Sequence, residues 1–574
     1  MKYPFLTEQP GTRSMIREFG GYNHNIRIGD NEFFDMQNMT SSDYPVLSPR
    51  PRRGVFATAD VRGMIAKEAL CYIDGTVFVM GEERLELGIP DDGELRTLVS
   101  MGAYVIIMPD KKYVNTADLS DYGDIEASVT AGEVSFALCR ADGSDPENVT
   151  VGAAAPVNQA YWIDTSTEPH VLKQYAAATA TWVPVATTCI KISATGIGAP
   201  FAVDDCVTIS GITVAGLTEL NASVVILARG EDYIVVTGIL DAVASQSTPV
   251  TVSRRMPNMD FLVESQNRLW GCRYGTDVHG NMVNEIYACK QGDFRNWFVY
   301  RGISTDAYAV TVGTDGPFTG AIVHLGYPLF FKEHYLHKIY GSYPANYQVQ
   351  TTSLRGVQKG SGRSLAIVGE ILYYKSSLAI CAYDGSLPVD ISEPLGAEVY
   401  SRAVAGAIGN KYYVSMADAA GGYHLFVYDA RRGLWHKEDS TQVREFCSLC
   451  GELYFTDGAG GVIRTVLGTG TPERGEVRWM AETGLIGTDS PDKKRISRLD
   501  VRMSLEVSTR MDIFIQYDSA GVWEHVYATV GDNLRTFPVP IRPRRCDHLR
   551  LRFEGLGMAK IHSICKTIEG GSDV

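Results

Sequence analysis

The chain has 574 residues, 45% of them hydrophobic, a formal net charge of −14 and a pI of about 5.4. Length alone suggests roughly four domains, and the hydrophobic content is that of a globular chain with a large core. The acidic balance excludes a protein that grips nucleic acid, which needs clustered Lys and Arg to displace counterions, but not one that nucleic acid slides past.

The opening Met1-Lys-Tyr-Pro-Phe-Leu-Thr-Glu-Gln-Pro10 is too polar for a signal peptide and is broken by proline. No apolar run of about 18 residues exists, so no membrane span is expected. Eleven cysteines are scattered along the chain, several in strand-like runs such as Cys189, Cys272, Cys289 and Cys381. They read as reduced, buried thiols of a cytoplasmically folded protein. The lone CxxC, Cys447-Ser-Leu-Cys450, lacks a second pair at zinc-finger spacing.

Residues 1–60 read as an extended N-terminal arm with first strands. Phe19-Gly-Gly-Tyr-Asn23 is a turn, and Ile26 to Met36 has short strand character. In Leu47-Ser-Pro-Arg-Pro-Arg-Arg-Gly54, two prolines between arginines hold the backbone extended and bar it from a central strand.

A short phrase follows: a turn residue or two, then an apolar and aromatic run. It stands at Gly75-Thr-Val-Phe-Val-Met80 and Gly102-Ala-Tyr-Val-Ile-Ile107, then stops. It resumes at Gln266-Asn-Arg-Leu-Trp-Gly-Cys272, Gly326-Tyr-Pro-Leu-Phe-Phe331, Gly369-Glu-Ile-Leu-Tyr-Tyr374, Gly409-Asn-Lys-Tyr-Tyr-Val414 and Gly451-Glu-Leu-Tyr-Phe455. The last four start 43, 40 and 42 residues apart. A fixed period in this range marks a repeat architecture, and four-stranded units of roughly 40–45 residues make a β-propeller. Seven phrases predict six or seven blades, the first in 61–124 and the others in 257–470.

Between them, residues 125–256 change texture to Ala, Thr, Val and Ser with longer aliphatic strands, such as Val203 to Ser210 and Val224 to Leu227. This predicts an inserted β-barrel or sandwich, in one or two lobes. Insertion at a loop tip costs little, because closure entropy grows slowly with length. After about Thr471 the period ends. Leu549, Leu551 and Phe553 alternate with Arg550 and Arg552, the mark of a half-buried antiparallel strand. Residues 471–574 thus predict a C-terminal β-sandwich. The fold class is all-β, with only short helical stretches such as 171–179.

No catalytic signature stands out. Asp518-Ser-Ala-Gly-Val-Trp523 only approximates the Ser-x-Asp-x-Gly-x-x-Trp turn of sialidase-like propellers and reads as a hairpin with a buried Trp523. His334 and His337 would share a metal on a helix, but the surrounding aromatics say strand, where they face opposite sides. No HExxH, GxSxG or Walker loop occurs, and Gly356 to Gly362 reads as a polar turn. Asp-Gly pairs such as those at Asp74, Asp142, Asp315, Asp384 and Asp457 are hairpin turns before they are a carboxylate dyad. No cofactor or metal is expected. Basic residues cluster at Arg50, Arg52 and Arg53, at Lys493, Lys494, Arg495 and Arg498, and at Arg542, Arg544 and Arg545. In an acidic chain such loops are candidate partner interfaces.

The opening pattern, Phe19 to Asn23 through Glu32-Phe-Phe-Asp-Met36, Asn38-Met39 and Tyr44-Pro45 to Arg53-Gly54, resembles phage structural proteins. So do Asn267-Arg-Leu-Trp-Gly271, Lys290-Gln-Gly-Asp-Phe-Arg-Asn-Trp297, Lys494 to Leu499 and the ending Ile568 to Val574. Together they resemble the tail nozzle, or tail-hub, proteins of short-tailed phages and prophages. The resemblance implies a non-enzymatic ring subunit, six copies to a ring, beneath portal and head-to-tail adaptor rings. Genomic DNA would pass through without specific binding, and a needle, knob or fibres would attach below. It implies a virion protein assembled in the host cytoplasm. Two other readings stay open: a carbohydrate-binding tail receptor protein or glycan hydrolase, and a cellular propeller scaffold.

Overall fold

The computed structural model describes residues 11–144, 149–167, 170–185, 188–240, 243–277, 280–458, 461–488, 492–531 and 533–570. The first ten residues and the last four, which carry part of the opening and ending phrases, lie outside them. Among the described residues the structure is all-β, relieved only by four single turns of 3-10 helix. No helix among the described residues is long and apolar enough to cross a membrane.

Six antiparallel sheets, each of four strands in sequence order, occupy residues 61–86, 97–124, 261–311, 320–353, 366–390 and 401–437. A seventh is begun by Val443–Leu449, Glu452–Asp457 and Ile463–Thr465, and its fourth strand is Gly54–Ala57 from the other end of the chain. The first strand of each sheet touches that of the next. Between the 320–353 and 366–390 sheets, the short turn Gly362–Ser364 makes the contact. The last contact runs from Val443–Leu449 back to Val61–Ala66, so the ring closes on itself. This is the arrangement of a β-propeller. The apolar residues between neighbouring sheets form separate cores, for example Ile73, Phe78, Val105 and Ile107 between the first two.

The recurring phrase is the first hairpin turn of each sheet plus its second strand. Several of its turns place two residues at positive φ, as at Gln266-Asn267, Leu325-Gly326 and Cys450-Gly451. That geometry matches the right-handed twist of the flanking strands. The phrase at Gly75 is out of phase: it leads into the third strand, Val77–Met80. The turn equivalent to the others is Lys67-Glu68-Ala69, which has no glycine.

Residues 127–254 leave the ring between the second and third sheets. The departing strand Ala127–Ala131 pairs with the returning strand Val250–Arg254, Ala127 opposite Arg254. Two sheets share a core that includes Phe136, Ile192, Val207, Ile234 and Val252. A second excursion is nested in the first: Val134–Cys139 pairs with Cys189–Ser193, Cys139 opposite Cys189. Between them a small sheet of four strands, 149–184, carries its own core of Tyr161, Ile163 and Leu172. The stretch expected to be helical at 171–179 is here the strand Val171–Ala176. Pairing with Tyr161–Asp164 on one side and Thr181–Pro184 on the other overrides the alanine-rich sequence.

The expected arm over residues 1–60 is corrected by its long-range pairing. Thr12–Ile16 lies beside Ala559–Gly570, and Phe33–Gln37 beside Arg478–Thr483. They complete two terminal sheets that pack around Trp479, Val501, Ile513, Phe553 and Ile564. Leu549, Leu551 and Phe553 face this core. Arg550 and Arg552 turn outward onto Glu482, at 2.9 and 2.8 Å. The core does not stop at the terminal sheets. It continues through Phe19, Tyr22 and Phe33 to Tyr412, Phe426 and Trp435 of the propeller. Gly21 permits this approach: its φ is +80°, and a Cβ there would strike the carbonyl of Trp435, which accepts the N–H of Tyr22.

Candidate functional site

The arginines of the Pro-Arg run face inward. Arg53 donates to Glu438 at 2.7 Å and contacts Asp439 at 2.8 Å, while Arg50 lies 3.6 Å from each acid. Burial pulls the Arg53 guanidinium down, but Glu438 and Asp439 outweigh it and hold it above the ordinary arginine value. Arg50 falls below its ordinary value, chiefly through burial and then through Arg53 beside it. Asn38 joins the cluster to both bodies. Its side-chain oxygen accepts from Arg50 at 2.8 Å, and its amide nitrogen donates to the carbonyl of Arg478 at 2.8 Å. Its backbone N–H donates to the carbonyl of Glu438 at 2.5 Å. Arg50 and Arg53 are therefore internal clamps, not a partner surface. Arg52 alone of the three points out, half-exposed and paired with Glu476 at 2.7 Å.

The other two basic clusters come together. The backbone of Lys494 exchanges two hydrogen bonds with Cys546, each 2.9 Å. This sets exposed Lys493 and Arg495 beside exposed Arg544 and Arg545, with Arg542 further along the same loop. Lys494 itself is buried and donates to the carbonyl of Gly487. Arg495 pairs with Glu569 at 2.9 Å and Arg544 with Glu524 at 3.0 Å. The patch at this end of the terminal sheets is thus basic but interleaved with acids. Arg498 stays exposed on its own strand and reaches buried Asp500 at 2.7 Å.

At the propeller axis, Arg363 spans the mouth formed where the first strands begin. It donates to the carbonyls of Arg444 at 3.3 Å and Arg96 at 3.5 Å, from two other sheets. Glu445 lies on the first strand Val443–Leu449, and its Oε2 has no hydrogen-bond partner among the described residues. Burial pushes its carboxyl up to about 7, against the opposing pull of Arg363.

The chemistry weighed from sequence takes these forms. His337 is buried in a strand, each ring nitrogen 2.9 Å from a threonine hydroxyl, of Thr314 and Thr351. Burial, then Lys332, lowers it to about 4. His334 stands exposed in the preceding turn. Among the described residues, no group of three or more His, Cys, Asp or Glu side chains could hold a metal ion. Trp523 is not buried; it is half-covered by Arg552, whose guanidinium carbon sits 4.0 Å from the ring centre. Glycines 75, 143, 316 and 385 of the Asp-Gly pairs have positive φ, as tight turns require. Cys447 and Cys450 are unbonded to each other, as are all eleven cysteines.

Sequence reasoning missed a groove on the rim of the third and fourth sheets. Its volume is about 430 Å³, and Tyr300, Ile303, Asp306, Tyr308, Tyr343 and Pro344 line it. Scattered tyrosines gave no periodic signal. It missed also the role of Asn296 in the phrase Lys290 to Trp297. Asn296 accepts the N–H of Cys206 at 2.8 Å and donates to Asp205 at 2.9 Å, docking the inserted segment onto the ring. Asp205 in turn holds Arg254 at 2.5 Å.

No family model matches the chain, and no curated protein matches it. Solved structures do. BamB from Moraxella catarrhalis is 9% identical, over 73% of this chain and 97% of that one, with a TM-score of 0.31. The β-propeller domain of the Trilobed protease from Pyrococcus furiosus is 8% identical, over 70% and 92%, with a TM-score of 0.27. The exo-β-1,3-galactanase from Phanerochaete chrysosporium is 10% identical, over 53% and 94%, with a TM-score of 0.22. These matches include enzymes and non-enzymes and say nothing of activity. The propeller assignment rests on the sheet order and the closed ring.

Proposed function

We propose that this chain is a structural virion protein, a tail nozzle or hub subunit of a short-tailed phage. In this reading it forms part of the conduit for DNA ejection and a platform for tail attachments. Its parts are a seven-bladed propeller, an inserted β-domain over 127–254 and a β-sandwich built from both ends of the chain. The observation that carries the reading is the core shared by sandwich and propeller, from Ile564 and Phe553 through Phe19 and Tyr22 to Trp435. A ring under load needs subunits that do not hinge, and a continuous packed core supplies that. The resemblance of the opening and interior phrases to nozzle proteins supports it further.

The charge balance agrees with passage of DNA. A net charge of −14 repels phosphate at short range, and the basic side chains near the sandwich end are interleaved with acids. The exposed Lys493, Arg495, Arg542, Arg544 and Arg545 then meet acidic neighbours in the ring, in the adaptor ring or in fibre, needle or knob proteins. Six copies form the ring, the protein assembles in the host cytoplasm and resides in the virion tail, and it carries out no catalysis. Electron microscopy of the purified protein and of particles tests this: rings with an open lumen are expected. A protein that stays monomeric at all concentrations and is absent from particles would overturn it.

A further inference from the structure

The outer face of one terminal sheet carries charge mostly of one sign. Thr12–Ile16 pairs with Ala559–Gly570, which pairs with Lys494–Leu505. Residues directly opposite one another share a face. Arg13 and Arg498 both stand opposite Thr567, Met15 and Asp500 both opposite Cys565, and Arg502 opposite Ser563. The alternate residues Leu499, Val501 and Ile564 fill the core. The outer face therefore presents Arg13, Arg498 and Arg502 around Asp500. Arg17 joins them, its Nε donating to the sulfur of Met15 at 3.0 Å. The four arginines and Met15 are exposed, and Asp500 is buried. Asp500 holds Arg498 at 2.7 Å and lies 4.0 Å from Arg13. Arg17 and Arg502 are left without a carboxylate among the described residues. Such a face stands out in a chain of net charge −14.

The opposite sign gathers on the propeller. The outermost strand of the first sheet, Glu83–Glu86, and the residues flanking it expose Glu82, Glu83, Glu86, Asp91, Asp92 and Glu94, with Arg84 the single cation among them. Arg62 and Arg96 take Asp91 and Asp92, at 2.8 and 2.5 Å, and Arg84 is taken by Asp74 at 2.8 Å. Glu82, Glu83, Glu86 and Glu94 make no ion pair among the described residues. The terminal sheets pack on the sixth sheet of the propeller, and the first sheet stands two places further round the ring. The basic face and the acidic edge thus lie on different flanks and do not meet within one chain. Opposite charges so placed fit a head-to-tail contact, the basic face of one copy against the acidic edge of the next, and such contacts close into a ring when the rotation allows. Duplex DNA would cover the arginines and leave the acidic edge uncompensated, whereas a second copy satisfies both surfaces.

We propose that the face bearing Arg13, Arg17, Arg498 and Arg502 is the docking surface for a second copy of this chain, met by the acidic edge at 82–94 of that copy's first sheet. The inference rests on the ring reading for its partner and names the two surfaces that would make the joint. Sedimentation velocity of the full chain tests it, with two charge-swapped variants, Arg17→Glu with Arg502→Glu, and Glu83→Lys with Glu86→Lys. None of these four side chains makes an ion pair among the described residues, so unchanged melting temperatures are expected. Each variant alone is expected to self-associate about tenfold more weakly than the parent, or worse. An equal mixture of the two should recover the parent's assembly. The acidified face of one then meets the basic edge of the other, and the two untouched surfaces meet as before. A misfolded variant would gain nothing from its counterpart. If the parent forms rings that both swaps leave intact, or if the mixture stays dissociated, the surfaces are wrong and the ring reading stands. A parent that stays monomeric at every concentration would overturn both. Duplex DNA binding lost in the arginine variant, with self-association unchanged, would overturn the docking surface alone.

Discussion

Arg53 and Glu438 meet at 2.7 Å with only 4% and 3% of their side chains exposed, although 385 positions separate them in sequence. The pair fixes the strand that closes the propeller, Gly54–Ala57, to the end of the last strand of the sixth sheet, Leu434–Lys437. Removing one partner leaves the other charge buried and uncompensated, which costs about 3–5 kcal/mol. Arg53→Ala and Glu438→Ala are each expected to lose that much in urea unfolding. The double variant should lose clearly less than the sum. A double-mutant cycle with additive losses would show that the pair is not coupled.

Glu445 should set a pH dependence of unusual sign. Its folded carboxyl is raised to about 7, above the ordinary value of 4.5. Between those values the folded state binds more protons than the unfolded one, so stability falls as pH rises through the window and is level above and below it. Glu445→Gln removes the titration. The variant is expected to be more stable than the parent by about 2–3 kcal/mol at pH 8.5, with the gap closing near pH 4. Denaturant titrations at both pH values check this, and a gap independent of pH would refute it.

The nested excursion should be separable. Cys139 and Cys189 are cross-strand partners, so replacing residues 140–188 by an Asn-Gly turn joins two strands already in register. The shortened chain is expected to fold, with unchanged far-ultraviolet β signal per residue and a melting temperature within a few degrees of the parent. Removal of all of 128–253 is expected to cost more. It takes away Asp205 and Cys206 and leaves the buried amide of Asn296 without them.

Thiol reactivity should be uneven. Cys450 is exposed at a turn with φ of 51°, and Cys447 is half-buried, its thiol pushed up to about 12 by burial. The other nine are buried. A thiolate is the nucleophile, so only Cys450 should react quickly with Ellman's reagent in the native state. All eleven should react in guanidinium. Fast native reaction of several thiols would mean that the cores between the sheets open readily.

The repeat was legible because six of the seven first hairpin turns need special backbone angles, which glycine or asparagine helps to supply, and because each second strand is buried on both faces. The Gly75 phrase misled for the same reason: glycine marks a tight turn, not which turn of the sheet it is. The insertion was legible as a change of texture. The weaving of residues 12–57 into sandwich and propeller was not. Its evidence lies in partners such as Ile568, Glu482 and Thr465, hundreds of positions away. Arg50 and Arg53 looked solvated because prolines flank them, and nothing local foretells Glu438. The groove at Tyr300 is assembled from two sheets and has no linear signature.

The first strand lies antiparallel to the last, Thr12 opposite Ile568. A force drawing those two ends apart therefore loads their hydrogen bonds one after another, as in unzipping, and not all at once in shear. The strand Thr12–Ile16 is the seam that yields first, while the closure at Gly54–Ala57 is shielded behind the buried charges of Arg53 and Glu438. Under tension the body would release a short leader and keep its ring.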